Sequence, residues 1–384
     1  MKTLKGAIIR PLLLKKHNMN KNNGRLLSLD VLRGLDLMLL VGLQPVLRHL
    51  LVELDIPALN DTLLYQLDHA EWEGLRVWDL VMPLFLFMSG VTMPYSLPKY
   101  RTNNGNGKVW ARIVKRFILL FLLGMVVQGN LLAVDLDRVY VYSNTLQAIA
   151  VGYLMAAPLV LYIKPRYQLV IIAALLLIYS VPMHLWGDWT PQGNFASVVD
   201  KELLGRFRDG SMVAADGAVL FADWYDYTWI WSSLTFCCTV ALGSFAGHLA
   251  KSGNENRVAT AKKLFVMAVV LLAAGYLFGM FQPVIKRIWS ASMVLCSAGW
   301  CYLLLALFYW WIDVKGHTKG WGWLLYYGCN AITAYLIGEM MNFRGIVESL
   351  FHCAVHPVLL TACNSLIVFL ILRYMYKKGI FLKV

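Results

Sequence analysis

The sequence has little charge and lacks the motifs of the common soluble enzyme classes. Only 15% of its 384 residues are charged and 59% are hydrophobic, whereas a soluble globular domain usually carries about 25% charged residues. It contains no Walker loop, no Ser/His/Asp nucleophile elbow, and no HExxH or other metal-ligand spacing. These absences argue against the P-loop, elbow-hydrolase and zinc-protease classes, and we expect no metal cofactor.

The sequence also shows no spacing typical of paired cysteines and no pattern typical of a secretory signal peptide. The seven cysteines fall mostly in apolar stretches without any CxxC spacing, so we interpret them as membrane packing residues. Arg10 and Pro11 interrupt the apolar run of residues 7–14, which argues against a signal peptide. We expect residues 1–24 to form a basic cytoplasmic tail, with Met19 as an alternative start.

The hydrophobic residues occur in long runs. Each run has about twenty residues, enough to cross a hydrocarbon core of about 30 Å. The sequence therefore predicts an all-α polytopic membrane protein with about ten transmembrane helices. The predicted spans are 29–51, 77–97, 117–134, 145–163, 169–186, 228–250, 264–281, 291–312, 323–341 and 356–376.

The basic residues lie between these spans, so the formal charge of +13 does not indicate nucleic-acid binding. With a cytoplasmic N-terminus, and with Arg48 and Arg373 near the ends of their spans counted with the adjoining segments, the inner segments hold 25 Lys and Arg residues and the outer segments hold 9. Lys and Arg are enriched in cytoplasmic segments. We therefore predict cytoplasmic termini in an inner-membrane protein, a single transmembrane domain over residues 25–384, and one long outer loop at residues 187–227.

A polar stretch that leads into an apolar helix, residues 68–90, is the main functional signal. It places His69 on the outer side and Asp79 within the first turns of the second span. A carboxylate in a membrane span is costly and usually marks a site. Pro83 predicts a kink, because its ring displaces the carbonyl of Asp79. An imidazole beside a carboxylate suits a general base or a nucleophile.

A charged cluster in the first span permits two interpretations. Asp30, Arg33 and Asp36 are spaced three apart and share one side of a helix. They form either a neutralised structural cluster or the polar wall of a ligand tunnel.

A basic cluster before the third span is equally open. Arg112, Lys115 and Arg116 share one helix face. They suit either the phosphates of a nucleotide ligand or ordinary positive-inside flanking.

The ninth span carries polar groups among apolar ones. Asn330 and Thr333 share one face, and Tyr335 and Glu339 share another. Asn330 and Glu339 lie on opposite sides of a regular helix, so both line one cavity only if that helix is broken. Gln147 in the fourth span is a further buried amide that needs a partner.

Several short runs follow one another in a fixed order along nearly the whole chain. They are RLLSLDVLRG at 25–34, HAEWEGL at 69–75, DLVMP at 79–83, LQ at 146–147, KRIW at 286–289, IDVKG at 312–316 and GCNA at 328–331, followed by Tyr335 and Glu339. In these runs the chain resembles the heparan-alpha-glucosaminide N-acetyltransferase family. The block around the histidine and the acid is the specific part of the resemblance.

The resemblance implies a membrane acyltransferase that takes acetyl from cytosolic acetyl-CoA and delivers it to a glucosamine amine on the far side. The family's active histidine matches His69, and its acid ten residues later matches Asp79. Two outer segments depart from the family pattern. Gln44 or its neighbourhood replaces an asparagine, with an extra segment at residues 46–67, and the sixth span is entered through residues 225–229 (YDYTW).

We predict an acetyl-CoA-dependent acetyltransferase acting on an amino sugar or glycan. A secondary transporter of a sugar or an ion is the alternative, because intramembrane acids and arginines also mark transport pathways. Membrane lipid is an expected partner, and homo-oligomerisation is left open, as is the choice between direct transfer and an acetyl-histidine intermediate. We expect the donor to contact Arg33, Arg112, Lys115, Arg116, Gln147 and Asn330, and the acceptor to contact Gln44, Trp72 and Glu339.

Overall fold

The computed structural model describes residues 26–100, 106–135, 138–253, 256–351 and 356–382, so the predicted tail lies outside the described residues. Eight helices of the described part are long and apolar enough to cross a membrane. The prediction of an all-α polytopic membrane protein is confirmed. These eight are Leu27–Leu54, Val77–Ser96, Thr145–Tyr162, Pro165–Leu185, Ser233–Ser252, Arg257–Gly279, Ala291–Val314 and Pro357–Lys378.

Some of the long helices change their hydrogen-bonding pattern along their length. The first joins α-helices Leu27–Met38 and Gln44–Leu54 through a π-helical segment, Leu39–Leu43. The second begins as the 3₁₀ turn Val77–Leu80 and continues as α-helices Val81–Val91 and Met93–Ser96. The seventh consists of the α-helix Ala291–Phe308 and the π-helical segment Tyr309–Val314.

Shorter elements complete the described part. A two-stranded antiparallel hairpin pairs Ser211–Val213 with Val219–Phe221. The remaining α-helices are Pro57–Leu59, Tyr65–Leu67, Gly107–Val127, Phe195–Leu204, Gly322–Cys329, Ala331–Met340 and Arg344–Phe351; the 3₁₀ turns are Leu97–Tyr100, Leu131–Ala133 and Gly205–Phe207; a further π-helical segment is Asn60–Leu64.

Two predicted spans differ from the helices observed. The predicted span 117–134 corresponds to the helix Gly107–Val127, which begins earlier because its basic residues are helical too. The predicted span 323–341 is two helices that meet at Asn330, whose backbone has φ −115° and ψ 34°. The Asn330 side chain donates to the carbonyl of Tyr326 at 3.2 Å, and such local bonds compete with regular helix geometry.

Backbone contacts divide the chain into two compact units, Met1–Leu67 with Trp311–Lys383, and Asp68–Trp310. In the first unit two helices approach backbone to backbone. A Cβ atom on Gly34 would lie 2.1 Å from the carbonyl oxygen of Leu324, and one on Gly328 equally close to that of Asp30. Small residues permit this close packing in membranes.

In the second unit the helix Ser233–Ser252 is largely buried and packs against six other helices of the described part, among them Val81–Val91. A Cβ on Gly243 would lie 2.0 Å from the carbonyl oxygen of Phe87, and one on Gly90 1.9 Å from that of Val240. Glycines on both helices thus allow this close packing, which fixes the position of the helix Val81–Val91 against Ser233–Ser252. The candidate functional residues lie at the start of that helix.

Candidate functional site

Asp79 is held by the backbone of the loop that precedes its helix. The Asp79 Oδ2 atom accepts hydrogen bonds from the N–H groups of Ala70 and Arg76, both at 3.1 Å. Asp79 is fully buried. The regular helix begins only at Val81, so the change from 3₁₀ to α geometry falls within the turns between Asp79 and Pro83. A carboxylate at a helix N-terminus also faces the positive end of the helix dipole.

His69 contacts the other oxygen of the same carboxylate. The Nδ1 atom of His69 lies 2.7 Å from Asp79 Oδ1, while the His69 side chain remains 40% exposed. Because an ionised carboxylate only accepts hydrogen bonds, Nδ1 carries the proton in this pair. That tautomer leaves the lone pair on Nε2, where it can take a proton or attack a carbonyl carbon.

Lys286 is a third member of the site, and the sequence interpretation had given it no role. Its Nζ atom lies 2.9 Å from His69 Nδ1, 3.4 Å from His69 Nε2 and 3.4 Å from Asp79 Oδ1. Burial lowers the pKa of the Lys286 ammonium to about 8, although the Asp79 carboxylate opposes this shift. The ammonium therefore carries its charge at neutral pH.

Main-chain hydrogen bonds fix the loop of His69 to the loop of Lys286. Glu73 and Ile285 form an antiparallel β-bridge, and the N–H of Gly74 donates to the carbonyl of Val284 at 2.8 Å. Gly74 has a φ of 116°, a backbone conformation that favours glycine. The three functional side chains thus project from backbone segments that are joined directly.

The predicted outer loop, residues 187–227, is an ordered segment beside this site. The indole N–H of Trp72 donates to the carbonyl of Trp189 at 2.7 Å. Asp200 is buried, and its two oxygens accept from the N–H groups of Trp229 and Ile230 at 2.7 and 2.9 Å. These hydrogen bonds join the loop to Trp72, which precedes it in the chain, and to Trp229 and Ile230, which follow it.

Arg287, which follows Lys286, points to a different acid. Its Nη1 atom donates to Asp226 Oδ1 at 2.7 Å, and its guanidinium lies 5.5 Å from the ring centre of Tyr227. Lys286 and Arg287 therefore serve separate carboxylates, so substituting one leaves the other's partner in place.

The predicted donor residues of the second unit occupy different environments. Arg112 and Lys115 are exposed on the helix Gly107–Val127. The Arg116 guanidinium lies 4.3 Å from the ring centre of Tyr153, and its buried Nε has no hydrogen-bond partner among the described residues. A cluster of three cations on one face, with a free buried donor, fits an anionic ligand such as a phosphate group.

Backbone groups at the start of its own helix supply the hydrogen-bond partners of the Gln147 side chain. Its Oε1 accepts from the N–H groups of Ser143 and Asn144 at 2.9 and 3.0 Å, and its Nε2 donates to the carbonyl of Val141. Together with the Asn144 side chain this forms a capping box at the start of Thr145–Tyr162. The predicted need of this buried amide for partners is met by backbone groups, and its contact with a donor stays a prediction.

The predicted site residues of the first unit have partners of their own. Arg33 lies 3.7 Å from Asp30, and Gln44 donates to the carbonyl of Leu67 at 3.0 Å. Asn330 is buried and its Oδ1 has no partner among the described residues, whereas Glu339 is exposed. Their roles toward donor or acceptor stay predictions.

Residues 25–200 match the family model described as heparan-alpha-glucosaminide N-acetyltransferase, catalytic. No curated protein matches the chain. The matched segment includes His69 and Asp79 and ends before Lys286.

Proposed function

Because residues 25–200 belong to the heparan-alpha-glucosaminide N-acetyltransferase family, whose acetyl donor is acetyl-CoA, we propose that this multi-pass membrane protein is an inner-membrane acetyltransferase. It takes the acetyl group from acetyl-CoA on the cytoplasmic side. It delivers that group to the amine of a glucosamine-type sugar on the outer side.

The contact between His69 and Asp79 carries this proposal. Amine acylation needs a group that accepts a proton or forms a transient acyl bond, and a neutral imidazole with a free Nε2 can do either. Asp79 holds the ring in the Nδ1–H tautomer through the 2.7 Å contact. Its backbone hydrogen bonds keep the carboxylate in place, so that the orientation of His69 depends on a fixed acceptor.

Two routes use the same atoms. In direct transfer, His69 Nε2 removes a proton from the acceptor amine while the amine nitrogen attacks the thioester carbonyl and the carbon–sulfur bond breaks. In the two-step route, Nε2 attacks that carbonyl and the thiolate leaves; the amine then displaces the imidazole from the acetyl carbon and passes its proton to the freed Nε2. In both routes His69 returns to its neutral form when the proton passes on to the departing thiolate or to water.

The basic cluster of the helix Gly107–Val127 is proposed to hold the donor. Arg112, Lys115 and Arg116 lie on one face, at the end of the helix assigned to the cytoplasm by the distribution of Lys and Arg. Their charges complement the phosphates of coenzyme A. Trp72 and the outer loop are proposed to contact the acceptor, with Gln44 and Glu339 as further predicted contacts.

The test uses the purified full chain in proteoliposomes, acetyl-labelled acetyl-CoA added on the side of residues 251–263, and glucosamine on the other side. We expect acetylated glucosamine from the wild type and a loss of about 10²- to 10⁴-fold in His69→Ala, the usual effect of removing a general base. His317→Ala is the matched control, because His317 is an exposed histidine stacked on Trp311.

Near-normal acetylation by folded His69→Ala would remove His69 from the mechanism. Movement of labelled glucosamine across the vesicle without acetylated product would favour the transporter hypothesis instead.

A further inference from the structure

Lys286 lies at a position that the family match does not cover, in a rigid turn between two long helices. In this turn Ser290 Oγ accepts from the N–H of Ile285 at 3.0 Å, and the N–H of Ser290 donates to the carbonyl of Ile285 at 3.0 Å. Only 8% of Lys286 is exposed. A long charged side chain that is buried and held this way has a defined position relative to His69.

The distances place the ammonium over the face of the imidazole ring. An ammonium on the in-plane axis of Nδ1 would be much farther from Nε2 than from Nδ1, because Nε2 lies across the ring. The observed distances from Lys286 Nζ are 2.9 and 3.4 Å, which are nearly equal. The in-plane position at Nδ1 is therefore left to Asp79, while the Lys286 ammonium contacts the ring face and forms an ion pair with Asp79 Oδ1 at 3.4 Å.

A cation in this position disfavours a second positive charge on the ring. A nearby like charge opposes protonation, and an opposite charge favours it. Asp79 alone would favour the imidazolium, and Lys286 offsets that effect both through the carboxylate and through its direct approach to the ring. Neutral imidazole has a negative face that attracts a cation, as other aromatic rings do.

We propose that Lys286 is a positioning residue that keeps His69 neutral, while Asp79 holds the ring proton on Nδ1 and leaves the lone pair on Nε2. This proposal rests on the proposed function of His69 and adds the group that sets its protonation state. Lys286 acts through His69 and Asp79 and needs no contact with either substrate.

The other charged groups around Lys286 are accounted for. On its own loop Arg287 also opposes the ammonium charge, but its guanidinium is paired with Asp226. Burial raises the pKa of the Tyr227 phenol, and the nearby Asp79 carboxylate raises it further. Tyr227 therefore stays neutral near pH 7. Asp79 is an acid that both His69 and Lys286 contact.

The test measures the reactivity of His69 with diethyl pyrocarbonate, which modifies the unprotonated ring, as a function of pH. Mass spectrometry of the peptide that contains His69 gives the extent of modification, and no acetyl-CoA is needed. We expect the midpoint of this profile to rise by about one to three pH units in Lys286→Met, the usual effect of a charge at this distance. Lys286→Arg should retain the wild-type midpoint to within half of that shift.

Lys286→Gln is a second neutral variant, which keeps a hydrogen-bond donor toward Asp79 if Lys286→Met does not fold. Arg287→Met is the matched control, because it removes one positive charge at the adjacent position, and its midpoint should move by less than half as much. An unchanged midpoint in both folded neutral variants would overturn the proposal.

The acetylation assay separates this proposal from the proposed function. A raised midpoint without acetylated product from the wild type supports the role of Lys286 and rejects the acetyltransferase. Acetylated product from the wild type with an unmoved midpoint supports the acetyltransferase and overturns the role of Lys286.

Discussion

Replacing Asp79 with Asn should abolish most of the activity although the side chain keeps its size. An amide has a single acceptor oxygen, and the backbone N–H groups of Ala70 and Arg76 hold that oxygen in the position of Oδ2, where each lies 3.1 Å away. The amide NH₂ then faces His69 Nδ1. It donates to that atom, and the imidazole proton moves to Nε2.

An imidazole protonated at Nε2 can neither take a proton from an amine nor attack a carbonyl there. Reversal of the tautomer in a comparable acid–histidine pair costs about 10⁴-fold. We therefore expect kcat/KM to fall by about 10³- to 10⁴-fold, or about 4–5.5 kcal/mol of transition-state stabilisation. The acetylation assay with labelled acetyl-CoA measures this loss.

The Asp79→Asn variant should still fold. Lys286 loses its counter-charge, but that carboxylate is what opposes the lowering of the Lys286 pKa by burial, so in the variant the pKa of Lys286 falls below its wild-type value and the buried amine releases its proton more easily. Glu73→Gln is the matched control, since Glu73 is an exposed acid of the same loop, and it should keep wild-type activity. If folded Asp79→Asn stayed within tenfold of the wild type, the tautomer argument would be refuted.

Three further changes test other parts of the structure. Arg116→Ala should raise the KM for acetyl-CoA with little change in kcat, because it removes about 1.5–3 kcal/mol of binding free energy. Steady-state kinetics measures this change. Burial raises the pKa of Asp200 to about 7. The contribution of protonated Asp200 to the free energy of unfolding is therefore complete below about pH 4 and is lost as the pH rises through 7. Asp200→Asn should flatten this decline in melting temperature between pH 4 and 7. Gly243→Ala should destabilise the protein by at least about 1–3 kcal/mol, seen as a lower melting temperature, because its Cβ would meet the carbonyl of Phe87.

Matched variants separate these effects from general damage. Arg166 also lies on a tyrosine ring, at 4.7 Å from its centre, and Arg166→Ala should leave the KM unchanged. A Cβ on Gly107 meets no atom within 4 Å, so Gly107→Ala should keep the wild-type melting temperature. Equal effects in each pair, or a pH slope that survives in Asp200→Asn, would contradict the corresponding explanation.

The sequence predicted the histidine–acid pair because its members are close along the chain. His69 and Asp79 are joined by one short loop and a helix start, and local spacing is enough to place them together. Lys286 is 217 positions away from His69, and no spacing rule connects them. Two signals were available. The run KRIW at 286–289 is part of the family-like pattern, and Lys286 and Arg287 stand on the predicted outer side, where Lys and Arg are depleted.

Helix boundaries and the roles of polar residues were less predictable. The helix Gly107–Val127 begins within a charged segment that hydropathy does not recognise as part of a helix. The sequence showed that Asn330 and Glu339 line one cavity only if the ninth span is broken. It did not show that the break exists, because an isolated asparagine is compatible with a continuous helix. Gln147 was expected to need partners, and the sequence alone did not show that the backbone at its own helix start supplies them.

The bridge between Glu73 and Ile285 has a consequence for the biogenesis of the protein. A ribosome makes residues 69–79 long before residue 286, so the histidine–acid pair enters the membrane without its lysine. Until the helix Arg257–Gly279 has been inserted and the turn behind it has paired with the loop of Gly74, the Asp79 carboxylate lacks its counter-ion. The nascent protein therefore acquires its full charge balance only when the later helices are in place.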